Sequence, residues 1–191
     1  GAFLNRLKPT AGSSLVVFGC GTVGMSAIMA AHLCPCKNII AVGGNEESLV
    51  LAKELGATHT INRKKCDCIV SEIKKITEGG ADYAIDTSGV PDFVKKALAC
   101  VKFLGTAVVL GVTGELTIQV QEELMGEGKS LIGIVEGDSN PKLFIPQLIS
   151  YYRQGKFPFD KLIRVFEFDE INEAFEASHS GKAIKALLKM R

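Results

Sequence analysis

Residues 14–33, SLVVFGCGTVGMSAIMAAHL, run from a short apolar stretch through three glycines into apolar residues at helical spacing. The stretch SLVVFG (14–19) predicts a buried parallel strand, and residues 23–33 predict a helix. Gly19, Gly21 and Gly24 fit the spacing G-x-G-x-x-G, which is weak on its own but specific where it joins a strand to a helix. This context predicts a turn that binds a dinucleotide.

Each glycine has a separate role in such a turn. Gly19 permits the tight bend, Gly21 lets the backbone approach a pyrophosphate, and Gly24 lets the helix pack close to the strand. The free N–H groups and the dipole of the helix favour negative charge. Cys20 lies inside the turn, close to a helix N-terminus that would lower the pKa of its thiol. The alternatives are a redox-sensitive cysteine and a residue that only fills a variable position of the loop, with the second favoured. The alternative is a glycine-rich connection that holds no ligand.

Strands and amphipathic helices alternate along the rest of the chain. Further strands are predicted at NIIAVG (38–43), HTIN (59–62), ADYAIDT (81–87), GTAVVLG (105–111) and KSLIGIV (129–135), with a short β segment at LTIQV (116–120). This alternation predicts an α/β fold with a doubly wound parallel sheet of the Rossmann type. We divide the dinucleotide-binding domain (1–191) into a lead-in segment (1–13), a Rossmann core (14–139) and a C-terminal region (140–191) with a helix and a final strand.

The strand that follows the glycine turn lacks the acid expected at its end. A carboxylate there normally binds the adenosine ribose, but this strand ends in Gly43, Gly44 and Asn45. Without the carboxylate a 2′-phosphate is no longer repelled, although binding it usually requires an arginine or lysine. Arg63 and Lys64 are candidates for that role, the alternative being that both side chains are solvated. The predicted cofactor is NADP or NAD, with NADP favoured.

Charge, hydropathy and cysteine content exclude several classes of function. The net charge of +1 argues against nucleic acid or a membrane surface as partner, and no apolar run reaches the ~20 residues that span a bilayer. The strand–helix alternation is typical of a cytoplasmic enzyme, so we expect the six cysteines as reduced thiols. The pairs CPC (34–36) and CDC (66–68) lack the spacing that zinc favours, so no metal site is predicted.

Six blocks of sequence together resemble the cofactor domain of zinc-dependent medium-chain alcohol dehydrogenases. In order they are LKPTAGSSLVVFGCGTVGMSAIMAA, AKELGATHTIN, GGADYAIDTSG, GTAVVLGV, IGIVEGDSNPKLFIPQLISYYRQGKFPFDKLI and FDEINEAFEASHSGKAIKALL. The resemblance covers essentially the whole chain. The segments GIVEGDS, FIPQLI and GKFPFDKLI are most similar to the aryl- or benzyl-alcohol dehydrogenase branch.

The resemblance implies a parent enzyme that oxidises a primary, aromatic alcohol to its aldehyde by hydride transfer to a nicotinamide cofactor. It also implies a preceding catalytic domain that holds zinc and is absent from this chain. We therefore expect this chain to bind the cofactor and to show no turnover alone. The alternatives are a zinc-free quinone reductase of the same superfamily, a non-catalytic nucleotide-binding module and a methyltransferase-like domain.

The resemblance further implies a set of contacts along the bound cofactor. Those expected at the pyrophosphate are Gly19, Gly21, Thr22, Val23, Gly24 and Lys185, where relatives often have arginine. Those expected at the adenosine are Gly43, Gly44, Asn45, Thr87 and Ser88. Those expected at the nicotinamide are Gly111, Val112, Ile134 and Val135, together with Val23. No residue of the chain is assigned a catalytic or a metal-binding role.

The β-forming residues between LTIQV and KSLIGIV suggest a contact between two copies of the chain. In the family the corresponding strands pair across a two-fold axis. An unpaired apolar edge strand would also favour aggregation. We therefore expect a homodimer through roughly residues 116–136.

Overall fold

The central element of the computed structural model, which describes residues 1–190, is a sheet of six parallel strands. The strands are β1 (Ser14–Phe18), β2 (Asn38–Gly43), β3 (His59–Asn62), β4 (Ala81–Asp86), β5 (Val101–Val109) and β6 (Ser130–Gly133). Their order across the sheet is β3-β2-β1-β4-β5-β6. The direction of winding reverses between β1 and β4, which opens a crevice at the carboxyl ends of these strands.

Helices cover the sheet and continue into the C-terminal region. They are α1 (Thr22–His32), α2 (Glu46–Glu54), α3 (Ile69–Ile76), α4 (Pro91–Cys100), α5 (Pro141–Arg153) and α6 (Ile171–His179). Two further strands, β7 (Ile163–Glu167) and β8 (Lys185–Lys189), form a separate parallel pair. The doubly wound α/β fold with a C-terminal helix and strand is confirmed. Within residues 1–190, no helix has the length and apolar character needed to cross a bilayer.

Strand β1 lies between two apolar cores. Leu15 and Val17 belong to the core that contains the apolar residues of α1, whereas Val16 and Phe18 belong to the core formed with α3 and α4. This division follows from the alternation of side chains along a strand. Because all five residues of β1 are buried, the strand holds the glycine turn that follows it in a rigid position.

The predicted β segment at 116–120 is wrong. Residues 112–119 are irregular, and Val120–Leu124 form a single π-helical turn. An extended segment becomes a strand only by pairing with another backbone, and within the described residues β6 pairs with β5 alone. Strand β5 also begins earlier than predicted, at Val101. Its pairing with β4 continues across an irregularity in register, near which Leu104 has a φ of 59°.

Candidate functional site

The glycine turn packs as tightly as its sequence predicts. Gly19 has a φ of +101°, in the region that favours glycine. A Cβ on Gly24 would lie 1.9 Å from the carbonyl oxygen of Gly19, so only glycine allows α1 to approach the turn this closely. A Cβ on Gly21, in contrast, would have no atom within 4 Å. The turn is therefore compact on its inner side and open on its outer side.

The N-terminus of α1 provides unsatisfied donors at this open side. The first N–H groups of a helix have no intrahelical partner, and the N-cap residue, Gly21, has no side chain to bond them. The helix dipole adds partial positive charge. The hydroxyl of Thr22 donates to the carbonyl of Ile184 at 3.0 Å, which joins the turn to the chain just before β8. Lys185 follows directly and is exposed.

The end of β4 braces the turn from the other side. The Thr87 hydroxyl donates to the carbonyl of Phe18 at 2.9 Å and holds the start of the glycine turn. Asp86 is fully buried and accepts from the Ser88 hydroxyl at 2.6 Å and from the Gly89 N–H at 3.0 Å. These bonds fix Ser88 at the crevice, and they give Asp86 a structural role that the sequence analysis did not assign.

A cleft of about 270 Å³ opens beside the turn at the end of β2. We call it the β2 cleft. It is lined by Gly19, Cys20, Val42, Gly43, Gly44, Asn45, Ser48, Arg63, Ser88, Val90 and Phe93. The residues expected at the adenosine, except Thr87, thus surround one cavity. Asn45 also caps α2, because its side-chain oxygen accepts from the Ser48 N–H at 3.1 Å.

Arg63 supplies a positive charge to the β2 cleft. Its backbone N–H donates to the Gly43 carbonyl at 2.8 Å, and its guanidinium carbon lies 5.6 Å from the ring centroid of Phe93. A Cβ on Gly44 would lie 2.7 Å from Nε of Arg63, so the side chain crosses directly over that glycine. Among residues 1–190, no carboxylate forms an ion pair with Arg63. Phe93, which supports the guanidinium, was not predicted because it is distant in sequence.

The acid closest to this cleft in sequence is already paired. Glu46 accepts hydrogen bonds from Lys65 Nζ and Asn62 Nδ2, both at 2.6 Å. These two bonds lower the pKa of the Glu46 carboxyl below its ordinary value. The carboxylate is therefore ionised but balanced by a lysine, which reduces its repulsion of a bound phosphate.

The structure favours the interpretation of Cys20 as a residue that fills the loop over a redox-sensitive one. Burial raises the pKa of its thiol to about 11, so the reactive thiolate is scarce at neutral pH. All six cysteines of the chain are unpaired. Within the described range, no group of three or more histidine, cysteine or acidic side chains is arranged to hold a metal ion.

A second cleft, of about 360 Å³, lies beyond the end of β6 and is called here the β6 cleft. Val23 and Ile134 line it together with Leu110. Close by, Val112 and Val135 expose 100% and 78% of their surface. These two side chains follow the carboxyl ends of β5 and β6.

Gly111 has a packing role at the same edge. A Cβ on Gly111 would lie 2.3 Å from the N–H nitrogen of Gly89, so glycine is needed where the ends of β4 and β5 meet. Apart from Lys185, which begins β8 of the separate strand pair, the predicted site residues lie at the carboxyl ends of strands of the six-stranded sheet or at the start of α1. Gly19 lines the β2 cleft and Val23 lines the β6 cleft, with the open face of Gly21 between them. This arrangement can hold an extended molecule with a central anionic group.

Comparisons with known proteins show which sequences and folds this chain is similar to. The sequence model of the zinc-binding dehydrogenase family matches residues 22–150. Geraniol dehydrogenase from Castellaniella defragrans is 37% identical over 190 residues, which make up 98% of this chain and 51% of that protein. These matches confirm the resemblance that the six sequence blocks indicate.

Solved structures show the same similarity. Benzyl alcohol dehydrogenase from Acinetobacter calcoaceticus is 43% identical with a TM-score of 0.95, over 100% of this chain and 53% of that one. An alcohol dehydrogenase zinc-binding domain protein from Burkholderia ambifaria is 41% identical with a TM-score of 0.95, over 100% and 52%. The chain therefore spans about half the length of the relatives that it matches.

Proposed function

The chain belongs to the zinc-binding dehydrogenase family, and from this we propose that it is the cofactor-binding half of an alcohol dehydrogenase. The proposed reaction is oxidation of a primary, aromatic alcohol to the aldehyde. The observation that carries the proposal is the glycine turn, which presents helix N–H groups and an open Gly21 face between two clefts. The similarity to benzyl alcohol dehydrogenase supports the choice of substrate class.

The residues of the turn fit a dinucleotide pyrophosphate. Backbone N–H groups from Gly21 to Gly24 would bind its oxygens, since this is where helix donors are free. Lys185 would add a charge from the exposed start of β8. A lysine there lacks the planar fork of arginine, so this contact is weaker than an arginine would make.

The β6 edge fits the nicotinamide half of the cofactor. Val23 and Ile134 would contact the ring, while Gly111, Val112 and Val135 would flank it and exclude water. When bound, the cofactor accepts a hydride at C4 of its nicotinamide. The residues of this chain orient that ring. The β6 cleft is lined mostly by apolar side chains with one carboxylate, that of Glu136, and no group of three or more possible metal ligands is present among the described residues. We therefore assign zinc and the alcohol-binding wall to the other half of the parent enzyme.

Three features of the β2 cleft support NADP over NAD. Gly43 leaves no carboxylate to repel a 2′-phosphate, and Glu46 is balanced by Lys65. Arg63 offers a guanidinium that forms no ion pair with any carboxylate of residues 1–190. A guanidinium binds phosphate through charge-assisted hydrogen bonds that are stronger than neutral ones. The reduced state of the six thiols would be maintained in the cytoplasm, which is where we place the enzyme.

Calorimetric titration of the purified protein with NADP and with NAD tests the proposal. We expect NADP to bind at least about tenfold more tightly, a difference of about 1.4 kcal/mol. No oxidation of benzyl alcohol is expected from this chain alone with either cofactor. Tenfold tighter binding of NAD would contradict the cofactor choice. Failure of the folded protein to bind either cofactor would overturn the proposed function.

We also propose a homodimer that forms through residues 116–136. The outer edge of β6 is free in the described chain, and Val120 and Met125 nearby expose 61% and 60% of their surface. Free edges and exposed apolar side chains favour pairing with a second copy.

Light scattering should therefore give about twice the chain mass of 20.4 kDa. The double variant Val120→Glu/Met125→Glu should be monomeric, because two charges would be buried at the contact. Phe175→Glu, at an equally exposed position on α6 (69%), is the matched control and should remain dimeric. A monomeric wild-type protein at micromolar concentration would contradict the proposal.

A further inference from the structure

Cys20 is the side chain of the glycine turn that faces the end of β2. It lies between Gly19 and Gly21 and lines the β2 cleft. Burial raises the pKa of its thiol to about 11, so the group is neutral and uncharged toward a ligand at physiological pH. The thiol therefore affects the cleft through the space that it fills and not through charge.

The thiol occupies the space next to Gly43. Gly43 is extended within β2, a backbone conformation open to every residue, so its φ and ψ do not require glycine. A Cβ built on it would lie 2.8 Å from Cys20 Sγ, 3.4 Å from Cys20 Cβ and 3.1 Å from Leu49 Cδ2. The position lacks a side chain because Cys20 and Leu49 fill the volume that one would need.

We propose that Cys20 is a specificity-determining residue of the cofactor site, because its thiol excludes the acid that would select NAD at position 43. This inference deepens the proposed function and rests on it. A carboxylate at position 43 would accept hydrogen bonds from the adenosine ribose and repel a 2′-phosphate. With Cys20 in its observed position, a side chain at residue 43 requires the thiol to turn away or the glycine turn to shift.

Gly44 differs from Gly43 in what surrounds it. A Cβ on Gly44 would meet Nε of Arg63, at 2.7 Å, and no atom of Cys20 is among its nearest neighbours. The arginine side chain is long and exposed and has several torsions, so it can move aside. The cysteine side chain is half-buried and has one torsion, so its thiol can leave this position only by turning about that bond. The size of the side chain at residue 20 therefore limits which side chains fit at position 43 but not at position 44. Substitution of Gly44 is the matched control for substitution of Gly43.

Four variants test the coupling: Gly43→Asp, Cys20→Ala, the double variant of the two, and Gly44→Asp combined with Cys20→Ala. Alanine at position 20 lacks Sγ and keeps only Cβ, which would lie 3.4 Å from a Cβ at position 43, an ordinary van der Waals contact. We expect Gly43→Asp alone to lose at least about tenfold in NADP affinity without gaining NAD affinity. The double variant should bind NAD at least about tenfold more tightly than Gly43→Asp. The gain in NAD affinity on Cys20→Ala should be at least about tenfold larger in the Gly43→Asp background than in the wild-type or the Gly44→Asp background.

Thermal unfolding gives a second measurement that needs no cofactor. Gly43→Asp should lower Tm by about 5 °C when residue 20 is cysteine, as expected for overpacking, and by less than half of that when it is alanine. The inference is overturned if Gly43→Asp alone gains as much NAD affinity as the double variant, or if the two Tm changes are equal. Tighter binding of NAD than NADP by the wild type would contradict the proposed cofactor. The dependence of the Gly43→Asp effect on residue 20 could still be measured by thermal unfolding.

Discussion

Replacing Gly21 with alanine is expected to abolish cofactor binding while leaving the protein folded. A Cβ on Gly21 would have no protein atom within 4 Å, so nothing in the folded chain opposes it. It would project instead into the space that the proposed pyrophosphate occupies. Separation of the phosphate from two charge-assisted donors would cost about 3 kcal/mol, which is at least about 100-fold in Kd. Alanine is also a poorer N-cap than glycine, but that effect on folding is about 1 kcal/mol or less.

Gly24→Ala is the matched comparison, because the same methyl group is added one helical turn deeper. There the Cβ would lie 1.9 Å from the carbonyl oxygen of Gly19, a backbone atom that cannot rotate away. Alanine gains about 1 kcal/mol of helix propensity, and overpacking costs about 3 kcal/mol. We expect a net loss of about 2 kcal/mol in the free energy of unfolding.

Urea denaturation and calorimetry with both cofactors separate the two effects. Gly21→Ala should unfold near the wild-type midpoint and bind neither cofactor, whereas Gly24→Ala should be destabilised. Retention of wild-type affinity in Gly21→Ala would show that no phosphate approaches this face of the turn. The assignment of the glycine turn as a pyrophosphate site would then be wrong.

Arg63→Ala is expected to weaken NADP binding by about 10- to 100-fold and to change NAD binding less than about threefold. Hydrogen bonds to a charged group contribute about 1.5–3 kcal/mol to binding. The variant loses these bonds to the 2′-phosphate of NADP, whereas NAD has no such phosphate. Because the guanidinium packs on Phe93 at the surface, its removal should cost less than about 1 kcal/mol of stability. The chain should therefore remain folded.

Two variants act as controls for Arg63→Ala. Arg63→Lys keeps the charge but loses the planar fork, so NADP affinity should fall to an intermediate value. Lys64→Ala removes the same charge from the neighbouring exposed residue and should leave both affinities within about twofold, since surface charges act weakly at a distance. Equal losses of NAD and NADP affinity in Arg63→Ala would identify a role in adenosine packing and contradict phosphate recognition.

Much of the fold could be predicted because its signals are local. The apolar run of β1, the glycine spacing and the helix-forming stretch of α1 are contiguous, and strand–helix alternation along the chain implies a parallel sheet. The predicted strands at 38–43 and 59–62 have the bounds that the structure gives. The segment at 116–120 was predicted incorrectly because β propensity says nothing about whether a partner strand is present.

The candidate site was predictable only in part. The glycines and strand ends could be named because a Rossmann turn has a defined spacing. The support of Arg63 by Phe93 and the pairing of Glu46 with Lys65 both depend on how separate segments meet. The direction of the Cys20 pKa was wrong for the same reason, since burial cannot be seen in a turn taken alone.

The sequence by itself determined the order of strands and helices along the chain, the glycine turn and the absence of an acid at the end of β2, because these depend on residue type and spacing along one stretch of chain. Only the tertiary structure decided what takes the place of the missing acid. Residues 20, 43, 44 and 63 lie on three separate segments, and packing alone brings the thiol against one glycine and the guanidinium against the other. Close packing is a property of volumes in three dimensions, and no one-dimensional pattern contains it.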